Sequence, residues 1–421
     1  MQLTLSASKT FFKNHSTVVV YADQLVVSGF SFISGIILAR FLGVVGFGVY
    51  SIAWLGVLIA SSVNQPLIIA PMMTLSGKKS AEENKTYLQA TIFKQLFFAA
   101  ILSIVAFITV VIMSYVLKDW QVRSIMFAFP LAVFSYLLQD FFRRYFIIIK
   151  RPHMSILIDI IAYGGVIISA FLIHFFRSMD AQFILLLTAL FFLYASLVAL
   201  LSLKELKFNR KEIRAAITEH WSFSKWLTAT AILQWFSGNL FIIAAGAILG
   251  PGAVGATRMA QNIVGITHVL FLGMENIIPA RAATAQRTGG NDLLFRYLWK
   301  FTLQMGTITF ILLGLIALFS RQIIEVFYGE SYLEYQHILI GFCMLYVVVF
   351  LGYPLRYAIR TLENTRLIFI SFIISSVFSI ACAYPVINEF GIYGVVGGLI
   401  STQLITLVIY MWSLKKEIRW I

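Results

Sequence analysis

The chain has 421 residues, 60% of them hydrophobic and 12% charged, with a formal net charge of +14 and a mean hydropathy of +0.88. Soluble domains run nearer a quarter charged, so this composition excludes a water-soluble globular fold. The basic residues are scattered over short polar breaks, without a polar domain bearing aromatic stacking residues, which speaks against a nucleic-acid partner.

The first sixteen residues, MQLTLSASKTFFKNHS, carry basic groups but no apolar core followed by a small-residue cleavage site, so no cleaved signal peptide is expected. Apolar runs long enough to cross about 30 Å of hydrocarbon then recur to the end of the chain. Hydropathy with Gly, Pro and charge breaks predicts twelve spans: 17–39, 47–75, 90–117, 124–147, 154–176, 181–203, 222–249, 253–280, 297–319, 337–359, 367–386 and 393–413.

The first span carries Asp23 and Gln24, and Gln24, Ser28, Ser31 and Gly35 follow i, i+4, i+7, i+11, which gives one helical face that is polar and small. Arg40 closes this span, and it either snorkels to the interface or lines the outer mouth of a cavity. The turn LGVVGFG at 42–48 follows. The second span holds Ser61, Ser62, Asn64 and Gln65 with Pro66 and Pro71, which predicts a helix bent within the membrane. Asp140 and Arg143, and Asp159 with His174, are weaker polar candidates in the fourth and fifth spans.

The longest polar break, KELKFNRKEIRAAITEH at 204–220, falls near the middle of the chain. It divides an N-terminal six-helix lobe, 1–203, from a C-terminal one, 222–421, with 204–221 as a cytoplasmic basic linker. LGPGAVG at 249–255 echoes 42–48 in the second lobe, each having Leu-Gly and then Gly five positions on. An even span count per lobe makes the duplication parallel, with its axis along the membrane normal. In the seventh span Gln234, Ser237, Gly238 and Asn239 break the apolar run.

The eighth span is the richest in polar groups. Gln261, Gly265, His268, Leu272 and Glu275 trace i, i+4, i+7, i+11, i+14, Asn262 and Asn276 lie beside them, and Arg258 stands one turn earlier. An ionisable group at membrane depth costs about 2.5–3.5 kcal/mol on insertion scales, so Arg258 is expected in a bundle interior or a wet cavity. For Asp23 two readings are open: the ion-pair partner of Arg258, or a protonatable coupling group. For the serines and glycines the bland reading is interhelical packing and hydrogen bonding.

With the N-terminus inside, the predicted inside segments hold 24 Lys and Arg against 5 in the outside turns, so both termini are expected on the cytoplasmic side. Cys343 and Cys382 lie inside apolar runs and read as small packing residues. There is no phosphate-loop motif, no Cys/His metal spacing and no G-x-S-x-G, and the longest outside turn, 320–336, is short. A transporter without metal or cofactor fits better than an enzyme.

DQLVVSGFSFISGIILARFLGVVGFGVYSIAW at 23–54 resembles the opening hairpin of polysaccharide transporters in the multidrug/oligosaccharidyl-lipid/polysaccharide (MOP) exporter superfamily, where L-A-R-x-L-G is followed by F-G-x-Y. LGPGAVGATRMAQNI at 249–263 is similar to its second-half counterpart, and YPVINEFGIYGVVGGLISTQ at 384–403 resembles the last hairpin. TRMAQN departs from the pattern in which a tyrosine often follows the Gly.

The resemblance implies an all-α polytopic membrane protein with about twelve transmembrane helices in two six-helix lobes related by a pseudo-two-fold along the membrane normal. It implies an O-antigen-type flippase of the cell inner membrane. Such a protein moves an undecaprenyl-pyrophosphate-linked oligosaccharide to the outer leaflet by alternating access, with membrane lipids and other polysaccharide assembly proteins as partners. Arg258, Gln261, Asn262, Gln24, Ser28, Ser31 and Arg40 map onto its central cavity by position, and Asp23 and Glu275 are the carboxylates for ion coupling. The alternatives are a cation-coupled drug antiporter of the same superfamily and a membrane polymerase or ligase of glycan assembly.

Overall fold

The computed structural model describes the backbone of residues 15–116, 122–176, 178–203, 206 and 208–415, and side chains from residue 28 onward within them except 116, 122, 123, 269, 272 and 276. The described residues form helices and turns with no strand. Among the described residues, eight helical stretches are long and apolar enough to cross a membrane. They resolve into more rods than that, because the chain bends sharply at glycine inside three of them.

Helix α1 (His15–Asn64) turns at Gly43, which has φ 65°. It continues through a π-helical segment, Gln65–Ile69, into α2 (Ala70–Ser76). Then come α3 (Ala81–Val116), α4 (Ala128–Ile148), α5 (Pro152–Asp159), a second π-helical segment (Ile160–Gly164), α6 (Gly165–His174) and α7 (Ala181–Leu201).

The second half holds α8 (Arg210–Leu249), α9 (Pro251–Val264), α10 (Thr267–Leu318), α11 (Ser320–Phe327), α12 (Gln336–Thr361) and α13 (Arg366–Leu414). Helix α10 bends at Gly289–Gly290 and α13 at Gly391. Dividing α1, α10 and α13 at these bends and counting α4 gives twelve rods among the described residues, with α9 and the first part of α10 together forming the eighth.

Three differences from the hydropathy boundaries have local causes. The eighth rod runs on to residue 288 because ARAATAQR is built of good helix formers. Helix α8 starts at Arg210, so the later part of the central basic break is helical. The predicted outside turn at 320–336 is structured as α11 and a short 3₁₀ segment, Glu330–Tyr335.

The described residues form two compact units, one within 1–42 and 53–231, the other within 43–52 and 232–421. In the first, α4 lies along α3, α5 and α7; in the second, α12 lies along α9, α10 and α13. The short piece 43–52 belongs to the second unit because the two Leu-Gly turns meet there. Gly43 (φ 65°) and Gly250 (φ 88°) share a left-handed backbone that side-chain-bearing residues rarely adopt. Beyond them, a Cβ at Gly48 would fall on the Pro251 carbonyl, and one at Gly255 on the Val44 carbonyl. Val44 and Pro251 are equivalent positions of the two motifs, so the crossing is reciprocal, as a local two-fold requires. Close approach through small residues is the usual basis of helix association in lipid, where burial itself gives little.

Candidate functional site

The sequence-predicted residues divide between the units. The side chains of Asp23 and Gln24, and of Asn276, lie outside those described. In the first unit Ser28 is half-buried, and Ser31 and Arg40 are exposed on α1. In the second, Arg258, Gln261, Asn262 and Glu275 are half-buried on α9 and α10, while His268 is exposed.

The first unit carries a polar network centred on α4. Within the sequence QDFFRR, residues four apart share one carboxylate each. Asp140 accepts from Gln65 Nε2 at 2.6 Å and from Arg144 Nε at 3.3 Å. Asp159, at the end of α5, accepts from Gln139 Nε2 and pairs with Arg143 Nε at 3.4 Å. Both carboxylates are buried. Each is matched by one guanidinium and one amide, so the network is electrically balanced, which is the condition for keeping such groups at membrane depth. The π-helical segments adjoin it on both sides: Gln65 opens one, and Asp159 precedes the other. Asn64, wholly buried at the first of these, has neither amide atom partnered among the described residues.

Lys94, a lone charge within the predicted span 90–117, has a structural reason. Pro71 has no N–H to give the carbonyl four residues earlier, Leu67 O, and Lys94 Nζ donates to that oxygen at 3.3 Å. Tyr87 Oη donates to Pro71 O and meets His220 Nε2 at 2.6 Å. Lys79 pairs with Glu219 at 3.0 Å. The start of α8 is thereby fastened to the first unit.

In the second unit the polar groups of α9 and α10 face α12. Arg258 Nη1 donates to Gln261 Oε1 at 2.7 Å, while its Nη2 is buried without a partner among the described residues. Asn262 Nδ2 donates to Tyr328 Oη at 2.8 Å, beyond the apolar spans. Burial holds that phenol above its ordinary pKa. The chain bends slightly at Gly265, where a Cβ would crowd the Gln261 and Asn262 carbonyl oxygens at 2.9 and 3.0 Å. Past this bend His268 Nε2 meets Tyr346 Oη at 3.2 Å, and Glu275 lies 3.8 Å from Arg356 Nη2.

The face of α12 turned to these groups is Tyr346, Tyr353, Tyr357 and Arg360, spaced i, i+7, i+11, i+14, with Arg356 beside it. The predicted span 337–359 takes in Arg356 at its end and stops one residue short of Arg360; the structure places both on α12. The i, i+7, i+11 tyrosine spacing was the signal that could have found them. Glu275 is the carboxylate described beside Arg356 and Arg360, and Arg258 stands apart near Tyr346, so the described polar groups of α9, α10 and α12 carry excess positive charge. That excess sets them apart from the balanced network of α4.

No protein-family model matches the chain, and no curated protein matches it. Solved structures do. An inward-facing multidrug resistance MATE family transporter of the MOP superfamily is 14% identical, with 95% of this chain and 98% of that one covered, at a TM-score of 0.73. The lipid II flippase MurJ in an inward closed conformation is 14% identical, covering 95% and 87%, at 0.72. A MOP superfamily transporter from Pyrococcus furiosus, described as having a binding pocket of reverse polarity, is 13% identical, covering 95% and 95%, at 0.64. The chain therefore has the fold of MOP superfamily transporters, all-helical and multi-spanning. A multidrug resistance transporter and a lipid II flippase share that fold.

Proposed function

We propose that the protein is a flippase for a polyprenyl-pyrophosphate-linked oligosaccharide, an O-antigen or related surface polysaccharide unit, carried from the inner to the outer leaflet of the cytoplasmic membrane. The observation that carries this reading is the surplus of guanidinium groups on α9 and on the tyrosine-lined face of α12, with one described carboxylate near them. A pyrophosphate needs such donors, and arginine's planar fork suits it. Tyrosine faces, amides and hydroxyls suit a sugar chain, while the polyprenyl tail stays in lipid. Moving an anion out of a cell that is negative inside gains about 2.3 kcal/mol per charge per 100 mV.

In this reading Arg258 and Gln261 bind the head group and Asn262 supports them from its bond to Tyr328. Gln24, Ser28, Ser31 and Arg40 supply the first lobe's share of a cavity that opens alternately to each side. Asp23 is the first candidate for ion coupling and Glu275 the second. Both termini are cytoplasmic, consistent with the charge bias along the sequence. An exporter of cationic drugs would call for uncompensated carboxylates, whereas Asp140 and Asp159 are each already paired with arginine.

Deletion of the gene followed by lipid analysis tests the proposal. A lipid-linked repeat unit accumulating on the cytoplasmic face, with loss of surface glycan, is expected. Unchanged surface glycan with altered sensitivity to dyes or drugs would sink it in favour of the antiporter.

A further inference from the structure

On α12 two buried groups have no hydrogen-bond partner among the described residues: Arg356 Nε and Tyr357 Oη. A buried donor left unmade is costly, and two of them one residue apart call for a missing acceptor. The Arg356–Glu275 contact, at 3.8 Å through one guanidinium nitrogen, does not satisfy it. Charge-assisted N–H···O bonds close to about 2.7–2.9 Å, and a carboxylate that filled the guanidinium fork would make two of them. Arg360, one turn on, feels the same Glu275, together with Arg356 and Tyr357. Two guanidiniums thus share one carboxylate. Snorkelling toward headgroups accounts for exposed Arg360 but not for Arg356, whose side chain is only 24% exposed.

We infer that Arg356, Tyr357 and Arg360 form a binding site for a phosphate-bearing anion, with Glu275 as the resident counter-ion that gives up Arg356 when the anion arrives. Phosphate offers several acceptor oxygens around one centre, enough for Arg356, the Tyr357 hydroxyl and Arg360 together. Tyr346, beside which Arg258 lies, is ten residues or about 15 Å back along the same helix, so Arg258 holds a separate position. The anion has two sources. One is the phosphate of a transported lipid, which rests on the function proposed above; the other is the headgroup of an anionic phospholipid, which does not.

The test uses the full-length protein, purified and placed in nanodiscs of neutral lipid. Inorganic pyrophosphate, farnesyl diphosphate and phosphatidylglycerol are titrated separately, with binding read by native mass spectrometry and calorimetry. Arg356→Ala is expected to weaken binding by about tenfold or more, and Tyr357→Phe by less. Glu275→Gln, which removes the competing charge, is expected to tighten it. A merely structural ion pair would give no gain in that last variant. Arg356→Lys guards against misfolding, since it keeps the charge while losing the fork and should bind at an intermediate level.

Pyrophosphate or farnesyl diphosphate binding that follows this order assigns the site to the cargo, and phosphatidylglycerol binding alone assigns it to a resident lipid. Binding of all three probes that is indifferent to Arg356, or unmoved by Glu275→Gln, overturns the site. Should these binding changes appear while gene deletion leaves lipid-linked intermediates unaltered, the proposed function falls and the anion site stands.

Discussion

Replacing Gly255 with alanine tests whether the reciprocal glycine crossing holds the second unit together. The added Cβ would lie on the Val44 carbonyl oxygen, 3.2 Å from its carbon and 3.1 Å from Gly48 N. Carbon meets carbonyl oxygen no closer than about 3.3–3.6 Å, and all the obstructing atoms are backbone, so no side chain can swing away. The two segments must part by roughly 1 Å, a gap at which each facing atom pair forfeits a quarter to a half of its attraction.

Overpacking of this kind costs about 1–3 kcal/mol, against which alanine's helix propensity returns about 1 kcal/mol. At roughly 2–4 °C per kcal/mol for a unit of this size, the melting temperature should fall by a few degrees. Fluorescence-detected thermal melting in detergent measures it. Gly252→Ala is the control in the same turn, since its Cβ would meet Val45 Cγ2 and Val44 Cγ1 at ordinary distances of 3.7 and 3.8 Å. Gly48→Ala, on the other side of the crossing, should lose as much as Gly255→Ala, and the double variant less than the sum. A Gly255→Ala protein that melts with the wild type and with Gly252→Ala would refute the crossing.

Arg258→Ala should abolish surface glycan while the amount of protein in the membrane stays normal; full export in that strain would remove Arg258 from the mechanism. Asp159→Ala leaves Arg143 buried without its carboxylate, a loss of about 3–5 kcal/mol that should appear as poor accumulation, with partial recovery in Asp159→Ala/Arg143→Leu; recovery no better than the single variant would contradict the pairing. Gln65→Leu removes a donor to the Asp140 carboxylate, and a stability loss of about 1–3 kcal/mol in a denaturant series is expected. Asn64→Leu, which deletes two polar atoms unpartnered among the described residues, should leave thermal stability unchanged or raised; a clear drop would mean that Asn64 has a partner.

The spans and their glycine bends were legible because lipid imposes length and hydropathy on every crossing segment. Gly43 and Gly250 stood out as turn residues, and both carry positive φ. What the motif echo did not reveal is that Gly48 and Gly255 lie against each other's turns, since a repeated pattern gives equivalence and not proximity. Arg258 and Glu275 were visible as charges in an apolar run. Arg356 and Arg360 were not, because near a span's end an arginine that snorkels and one that faces inward look alike to hydropathy. The compensation of Asp140 and Asp159 was equally hidden: Gln65 and Asp140 are far apart in sequence, and only packing brings them together. Lys94 was opaque for a related reason, as its partner is a backbone carbonyl freed by a proline on another helix.

The membership of residues 43–52 in the second unit has a consequence for how the protein is made. That strip leaves the ribosome some two hundred residues before the Pro251–Gly255 turn it must meet, and until then its close-packing glycines have no mate. Neither half of the gene encodes a finished unit. Expressed as two fragments cut within 204–209, the C-terminal piece would lack an internal component that only the other fragment supplies, and the two should be recovered together or degraded apart.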